Sequence, residues 1–220
     1  MQVSVKADIK AVQKSLDKTQ RILIPKAASD ALNYVAWLAS QKRLREKAQE
    51  IFAGGAVAYT RGAFRFAKST AKSLTAEVFI DPDRDRYLRF QIAGGRRTPD
   101  RKKLWVPTRN TKLNRYGNIP RATMRRMIGD REKFFKGIPR GLHGESNNGI
   151  WERYGRTATH PRGKNIRMVA RYVNSTQYSP LFPFAEITEG VVFGNQRFAR
   201  KFNERLSAAL RKRWRVLPSG

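Results

Sequence analysis

Three aspartates, Asp81, Asp83 and Asp85, stand close together in the run DPDRDR. Carboxylates gathered on one loop are what a nuclease uses to hold Mg²⁺. Here Pro82 and Arg84 separate them and Arg86 follows, so the run reads as a solvated turn rather than a metal site. His143 and His160 are the two histidines. Two imidazoles do not make a typical zinc site, and each lies in a Gly- or Pro-rich setting that suits a catalytic triad poorly. The chain has no cysteine, which excludes disulfides, thiolate nucleophiles and Cys-based zinc or iron–sulfur sites. Gly94-Gly95-Arg96-Arg97 and Gly141-Leu142-His143-Gly144 offer backbone N–H groups to an anion. Neither matches GxxxxGK[ST] or a dinucleotide fingerprint, and turn formation explains both. A chain that is not an enzyme, with no cofactor and no metal, is the expectation.

The chemistry that the residues do favour is anion contact. Lys and Arg number 46 against 17 Asp and Glu, a net charge of +29 on 220 residues. Such an excess repels itself in a compact state and calls for a nucleic acid, an acidic protein surface or an anionic membrane. The densest run lies between residues 96 and 140. It includes Arg96, Arg97, Arg101, Lys102, Lys103, Arg121, Arg125 and Arg126, opposed by Asp100, Asp130 and Glu132. Arg211, Lys212 and Arg213 form a second group near the C-terminus. These are the candidate contacts with DNA or with an acidic partner, and a solvated charge run is the plainer alternative. Trp105, Tyr116, Trp151 and Trp214 are candidate interface anchors. Trp105 and Tyr116 can stack on bases only if the nucleic acid is unpaired. Arg121, Arg125 and Arg126 follow Ile119-Pro120 on a short helix that suits a groove. No partner helix and tight turn precede it, so a helix-turn-helix is not supported, and covering an acidic partner surface is the plainer reading.

The elements that must carry these residues follow from periodicity. Val3 and Val5 suggest a short strand, and Asp8 precedes Ile9, Val12 and Leu16 at helical spacing. A helix of about 25 residues is predicted from Pro25, with Ala28, Leu32, Val35 and Ala36 on one face and Gly54-Gly55 ending it. Ala56–Phe66 and Leu74–Ile80 read as strands, Asp81-Pro82-Asp83 as a turn, and Tyr87–Ile92 as a helix. Residues 96–162 hold Pro99, Pro107, Pro120, Pro139 and Pro161 with many glycines and asparagines. They read as an inserted basic arm containing short helices. Asn165–Val173 alternates as a strand. A single long helix starts near Phe184, with Ile187, Val191, Phe198, Phe202, Leu206 and Leu210 as its apolar stripe. The expected fold is α+β: a small antiparallel sheet packed by long helices, with a long basic inserted arm or lobe. Residues 1–95 form the N-terminal helical and β part of the core domain, 96–162 the excursion, and 163–220 the strand and helix that complete it. The N-terminus has no signal-like apolar run, and no apolar stretch approaches the ~20 residues of a membrane span. A product assembled inside a cell, with no membrane partner, is expected.

The order of motifs resembles bacteriophage tail-completion and neck proteins of the minor tail protein Z type. The resemblance rests on YLRFQIAGGRRTPDRKKLWVPT, LNRYGNIPRATMRRM, GIWERYG and ARYVNSTQYSPLFPFAEITEGVV, and covers most of Tyr87 to Leu210. Gly94, Gly95, Pro107, Asn114, Gly117, Asn118, Pro120, Gly149 and Arg153 match family-like structural positions, and Pro183 and Phe184 match the lead into the last helix. The resemblance implies a structural virion protein at the head-proximal end of the tail, assembled in the host cytoplasm. It implies a homo-oligomeric ring, six-fold in this reading, around genomic DNA, beside a tail tube or tail terminator protein and neck or connector proteins. A free, sequence-nonspecific DNA-binding protein is the alternative.

Overall fold

The computed structural model describes residues 17, 19–99 and 103–214. The expected opening strand at Val3 and Val5 and the helix around Asp8–Leu16 lie outside the described residues. The fold is α+β, with small antiparallel sheets packed against helices. The chain divides into two compact units, one drawn from 1–48, 58–85 and 183–220 and the other from 49–57 and 86–182. This division does not follow the 1–95, 96–162 and 163–220 segments read from composition.

In the first unit, helix α1 (Ile24–Trp37) begins at Pro25, whose missing N–H costs nothing in a first turn. It passes through a π-helical segment, Leu38–Arg43, into α2 (Leu44–Ile51), so the long predicted helix is present. Its buried face is made of small residues, Ala27, Ala31, Ala36 and Ala39, with Val35 and Leu44. Val35, Leu38 and Ala39 pack with Val191 of helix α6 (Phe184–Val192), and Val78 borders the cluster. Helix α7 (Arg197–Trp214) lies along α1. One long C-terminal helix was expected; the structure has two, broken at Gly194–Gln196. Arg197 turns its guanidinium onto the carbonyls of Gly190 and Val191 at 3.1 and 3.2 Å, capping α6 where it stops. The apolar stripe of α7, Phe202, Leu206 and Leu210, is half-buried rather than core.

Ala56–Phe66 is not one strand. A helical turn, α3 (Ala58–Arg61), closes when Gly62 N–H donates to Ala58 O at 3.0 Å, and β1 (Phe64–Ala67) follows. It pairs antiparallel with β2 (Glu77–Ile80), the only part of Leu74–Ile80 that finds a partner among the described residues. Asn33 of α1 ties the connecting loop down: Ser69 N–H donates to its Oδ1 at 2.8 Å, and its Nδ2 donates to Ser69 O at 3.0 Å. Asp81 opens a helix instead of a turn. Its Oδ1 accepts the Asp83 N–H at 3.2 Å, Pro82 takes the first position, and α4 (Pro82–Ala93) runs on from there. Arg84 folds back to Asp81 at 2.7 Å, and Arg65 reaches the same carboxylate at 3.7 Å. The aspartate run is thus a helix start held by ion pairs.

The second unit contains the end of α4, which leads through Gly94 into β3 (Gly95–Arg97), paired with β8 (Thr176–Tyr178). Its main sheet has the order β4 (Leu104–Pro107), β7 (Asn165–Val173), β6 (Gly149–Tyr154), β5 (Phe134–Gly137), all antiparallel. The 96–162 segment, read as an inserted basic arm with short helices, supplies three of these four strands. The pairing of β6 with β7 shifts register between Ile150 and Trp151. Side chains of the turn after β4 collect the β7 carbonyls near the shift. Thr108 Oγ1 donates to Met168 O at 2.6 Å, Asn110 Nδ2 to the same oxygen at 2.9 Å, and Thr111 Oγ1 to Val169 O. Helix α5 (Arg121–Gly129) lays Met127 onto Phe134, Ile150, Val169 and Ala170, bordered by Trp105, Ile119 and Tyr172.

Candidate nucleic-acid interface

Helix α5 starts where the sequence placed it. Pro120 stands at the N-cap and Met124 N–H donates to Pro120 O at 2.9 Å. Of its residues only Met127 is buried. Arg121, Arg125 and Arg126 are exposed, and none has an ion pair or hydrogen bond from its side chain among the described residues. At 100° per residue, Arg121 and Arg125 lie one turn apart opposite the buried face, beside the exposed Met124 and Ile128. Three guanidinium groups are thereby held on one helix with no ion-pair partner among the described residues.

The chain leaves α5 through Asp130, whose Oδ1 accepts the Lys133 N–H at 2.9 Å, and enters β5. Beside it the sheet gathers charge. Glu152 is 12% exposed and lies between Lys133, 3.2 Å from one carboxylate oxygen, and Arg167, whose Nη2 is 2.7 Å from the other. Register produces this pairing: Glu152 faces Phe134 on β5 and Arg167 on β7. Partial burial pushes the Glu152 carboxyl up. Hydrogen bonds from Arg167 and Lys133, with their charges, more than offset that and hold it below the ordinary carboxylate range. A depressed folded-state value adds stability that is present above the unfolded value of about 4.3 and is lost as pH falls through the folded value. Glu152→Gln is therefore expected to be less stable than the parent near neutrality and to show a shallower loss of stability on acidification below about pH 5. Denaturant melts from neutral pH into the acid limb check this. Equal acid slopes for the two proteins would show that Glu152 is not coupled to folding.

A cavity of about 360 Å³ opens beside Glu152, lined by Asp130, Lys133, Glu152, Arg153, Tyr154, Gly155, Arg156 and Arg167. Arg153 is committed to the backbone: its Nη1 donates to Arg131 O and Glu132 O at 3.1 and 3.0 Å, and its guanidinium lies 4.5 Å from the Phe135 ring centroid. Arg156 has no side-chain partner among the described residues.

The other expected contact residues are dispersed. Arg96 donates to Ser175 Oγ at 2.9 Å on β3, and Arg97 is its half-buried neighbour. Lys103 is paired with Glu145 at 2.7 Å, and that hydrogen bond, with one from Asn148, lowers the Glu145 carboxyl. Arg211 and Lys212 are exposed on α7 in the first unit. Arg101 and Lys102, and the side chains of Arg213 and Trp214, lie outside those described. The expected anchors are mostly packing residues. Trp151 is 8% exposed, stacks on Phe135 at 6.5 Å and donates from Nε1 to Asn147 O at 3.2 Å. Trp105 packs beside Tyr172 at 5.7 Å, and the half-buried Tyr116 is covered by Arg115 at 4.6 Å. Not singled out from the sequence were Arg156 and Arg167, which line the cavity beside Glu152 with Lys133, and Arg162 and Lys164, exposed on the loop of the β6–β7 hairpin. The flanking Gly155 and Gly163 were the available signal for that hairpin. Comparison with protein-family models, with curated proteins and with solved structures finds no match to this chain.

Proposed function

We propose that this chain is a structural virion protein that completes a phage tail and joins it to the neck, in a ring whose cationic surface faces the DNA path. The observation that carries the reading is the set of exposed arginines on α5 that no carboxylate answers among the described residues. A ring multiplies the net charge of +29 by its copy number, and genomic DNA is a counterweight of matching scale. Contacts from mobile cationic side chains to phosphates carry no sequence readout, so DNA can pass through.

Several residues behind the resemblance also support a structural role, because they shape backbone. Asn114 Oδ1 accepts the N–H groups of Tyr116 and Asn118, both at 3.0 Å, closing the Leu-Asn-x-x-Gly-Asn turn. Pro120 and Pro183 stand at helix N-caps. Arg153 holds the carbonyls before β5.

Electron microscopy of particles carrying a labelled chain tests the reading. Label at the junction of tail and head is the expected result. A chain that never associates with particles, yet binds duplex DNA in solution, would assign it to the free, sequence-nonspecific DNA-binding class instead.

A further inference from the structure

We propose that the open end of the four-stranded sheet, where the β6–β7 hairpin loop borders the Lys133–Arg167 cavity, binds the phosphodiester backbone of duplex nucleic acid. The assignment rests on the DNA-facing part of the proposed function and supplies it with a site.

The loop between β6 and β7 is built rather than slack. Lys164 N–H donates to Gly155 O at 3.1 Å, Thr157 and His160 exchange backbone hydrogen bonds at 3.1 and 3.3 Å, and Gly163 N–H donates to His160 O at 2.9 Å. Gly163 has φ +98, and a Cβ there would lie 2.7 Å from Tyr154 O, so the return of the chain requires glycine. This tied backbone carries Arg156, Arg162 and Lys164, all exposed and without side-chain partners among the described residues. Ordering such a loop on binding costs little, because the backbone is already ordered.

The charge count decides the ligand's sign. Lys133, Arg153, Arg156 and Arg167 line the cavity against Asp130 and Glu152, four cations to two carboxylates. Asp130 already accepts a backbone N–H, and one Glu152 oxygen takes both Nε and Nη2 of Arg167 at 2.8 and 2.7 Å. A carboxylate is therefore in place and the cavity remains positive. Arg162 and Lys164 extend that surplus along the loop. A row of separate cations suits a ligand with repeating anions, and a duplex presents one charge per ~1.7 Å of its axis. Stacking of unpaired bases has no platform here. Residues 155–164, GRTATHPRGK, contain no Phe, Tyr or Trp, and the Tyr154 ring is occupied by the Arg167 guanidinium at 5.3 Å.

The test is fluorescence anisotropy of the full chain with a short mixed-sequence duplex across a salt series, comparing the parent with the triple variant Arg156→Ala, Arg162→Ala, Lys164→Ala. Each lost phosphate contact lowers the slope of log K against log salt by about 0.9, so the triple variant is expected to lose about 2.7. Circular dichroism checks its fold, and Arg156→Gln alone, expected to lose about 0.9, serves if the triple variant misfolds. An unchanged slope with intact parental binding overturns the hairpin site and leaves the DNA-facing reading standing. A parent that binds no duplex even at low salt overturns both, and the microscopy of particles then judges the virion assignment by itself. Inorganic phosphate, titrated alone, is the remaining arm. Saturable binding that Arg156→Gln abolishes, with no change in duplex slope, would assign the cavity to free phosphate and overturn the backbone site.

Discussion

Gly149→Ala is expected to lower the unfolding free energy by about 3 kcal/mol, at the upper end of what overpacking costs. Gly149 begins β6, a central strand of the sheet, opposite Gly137 on one side and Arg171 on the other. A Cβ there would sit 2.2 Å from Ala170 O and 3.1 Å from Arg171 Cα. Both are backbone atoms, so no rotamer change relieves the clash, and β6 and β7 must move apart beside the register shift. Ile150 and Ala170, fully buried, would move with them. Gly129→Ala is the matched control: nothing lies within 4 Å of its Cβ and its φ is not positive. It should be neutral or stabilising by a few tenths of a kcal/mol. Denaturant unfolding of the two variants measures the contrast. Equal stability for Gly149→Ala and the parent would mean that the strands are not in the close approach described.

The second large effect concerns recognition rather than stability. Exchanging Arg125 and Arg126 for Glu leaves Met127 and its neighbours untouched and keeps helix propensity adequate. The folded state should be unchanged by circular dichroism. If both arginines meet phosphates, each contact is worth a slope of about 0.9, or about eightfold in affinity at 0.1 M salt, and the pair about sixtyfold. Duplex affinity is expected to fall by at least that factor, because the glutamates add repulsion, and DNA retention and yield of infectious particles should fall with it. Full infectivity and unchanged duplex affinity would leave α5 as a solvated face. Loss of the fold would show that these arginines support the unit from within.

Local features carried most of what could be read in advance. Pro25, the alanine-rich face after it and Gly54-Gly55 delimited the long helix, and Pro120 located α5. Alternation in Ile166, Met168, Ala170 and Tyr172 revealed β7. Pairing across long separations was hidden. Leu104–Pro107 and Phe134–Gly137 are four-residue strands, too short for a period to show, and their surrounding prolines and glycines suggested an excursion. Asp81-Pro82 illustrates an ambiguity of chemistry: the same residue types open turns and cap helices. The apolar spacing of Val191 and Phe198 continues across Gly194, so the break there was masked. For the site, exposure of the α5 arginines followed from their neighbours. The Lys133–Glu152–Arg167 cluster needed the strand register, which no local pattern contains.

The first unit is assembled from the two ends of the chain, since α1 near the start packs along α7 near the finish. During synthesis at about 5–20 residues per second, α1 waits for roughly 160 residues, about 10–30 s, before its partner leaves the ribosome. The second unit, nearly contiguous over 86–182, can close first. Throughout that interval the part of the alanine-rich face of α1 that α7 covers stays open, the condition under which nascent chains stick to one another. A net charge of +29 makes copies of the chain repel one another, and that repulsion would act on half-made chains as well as on finished ones.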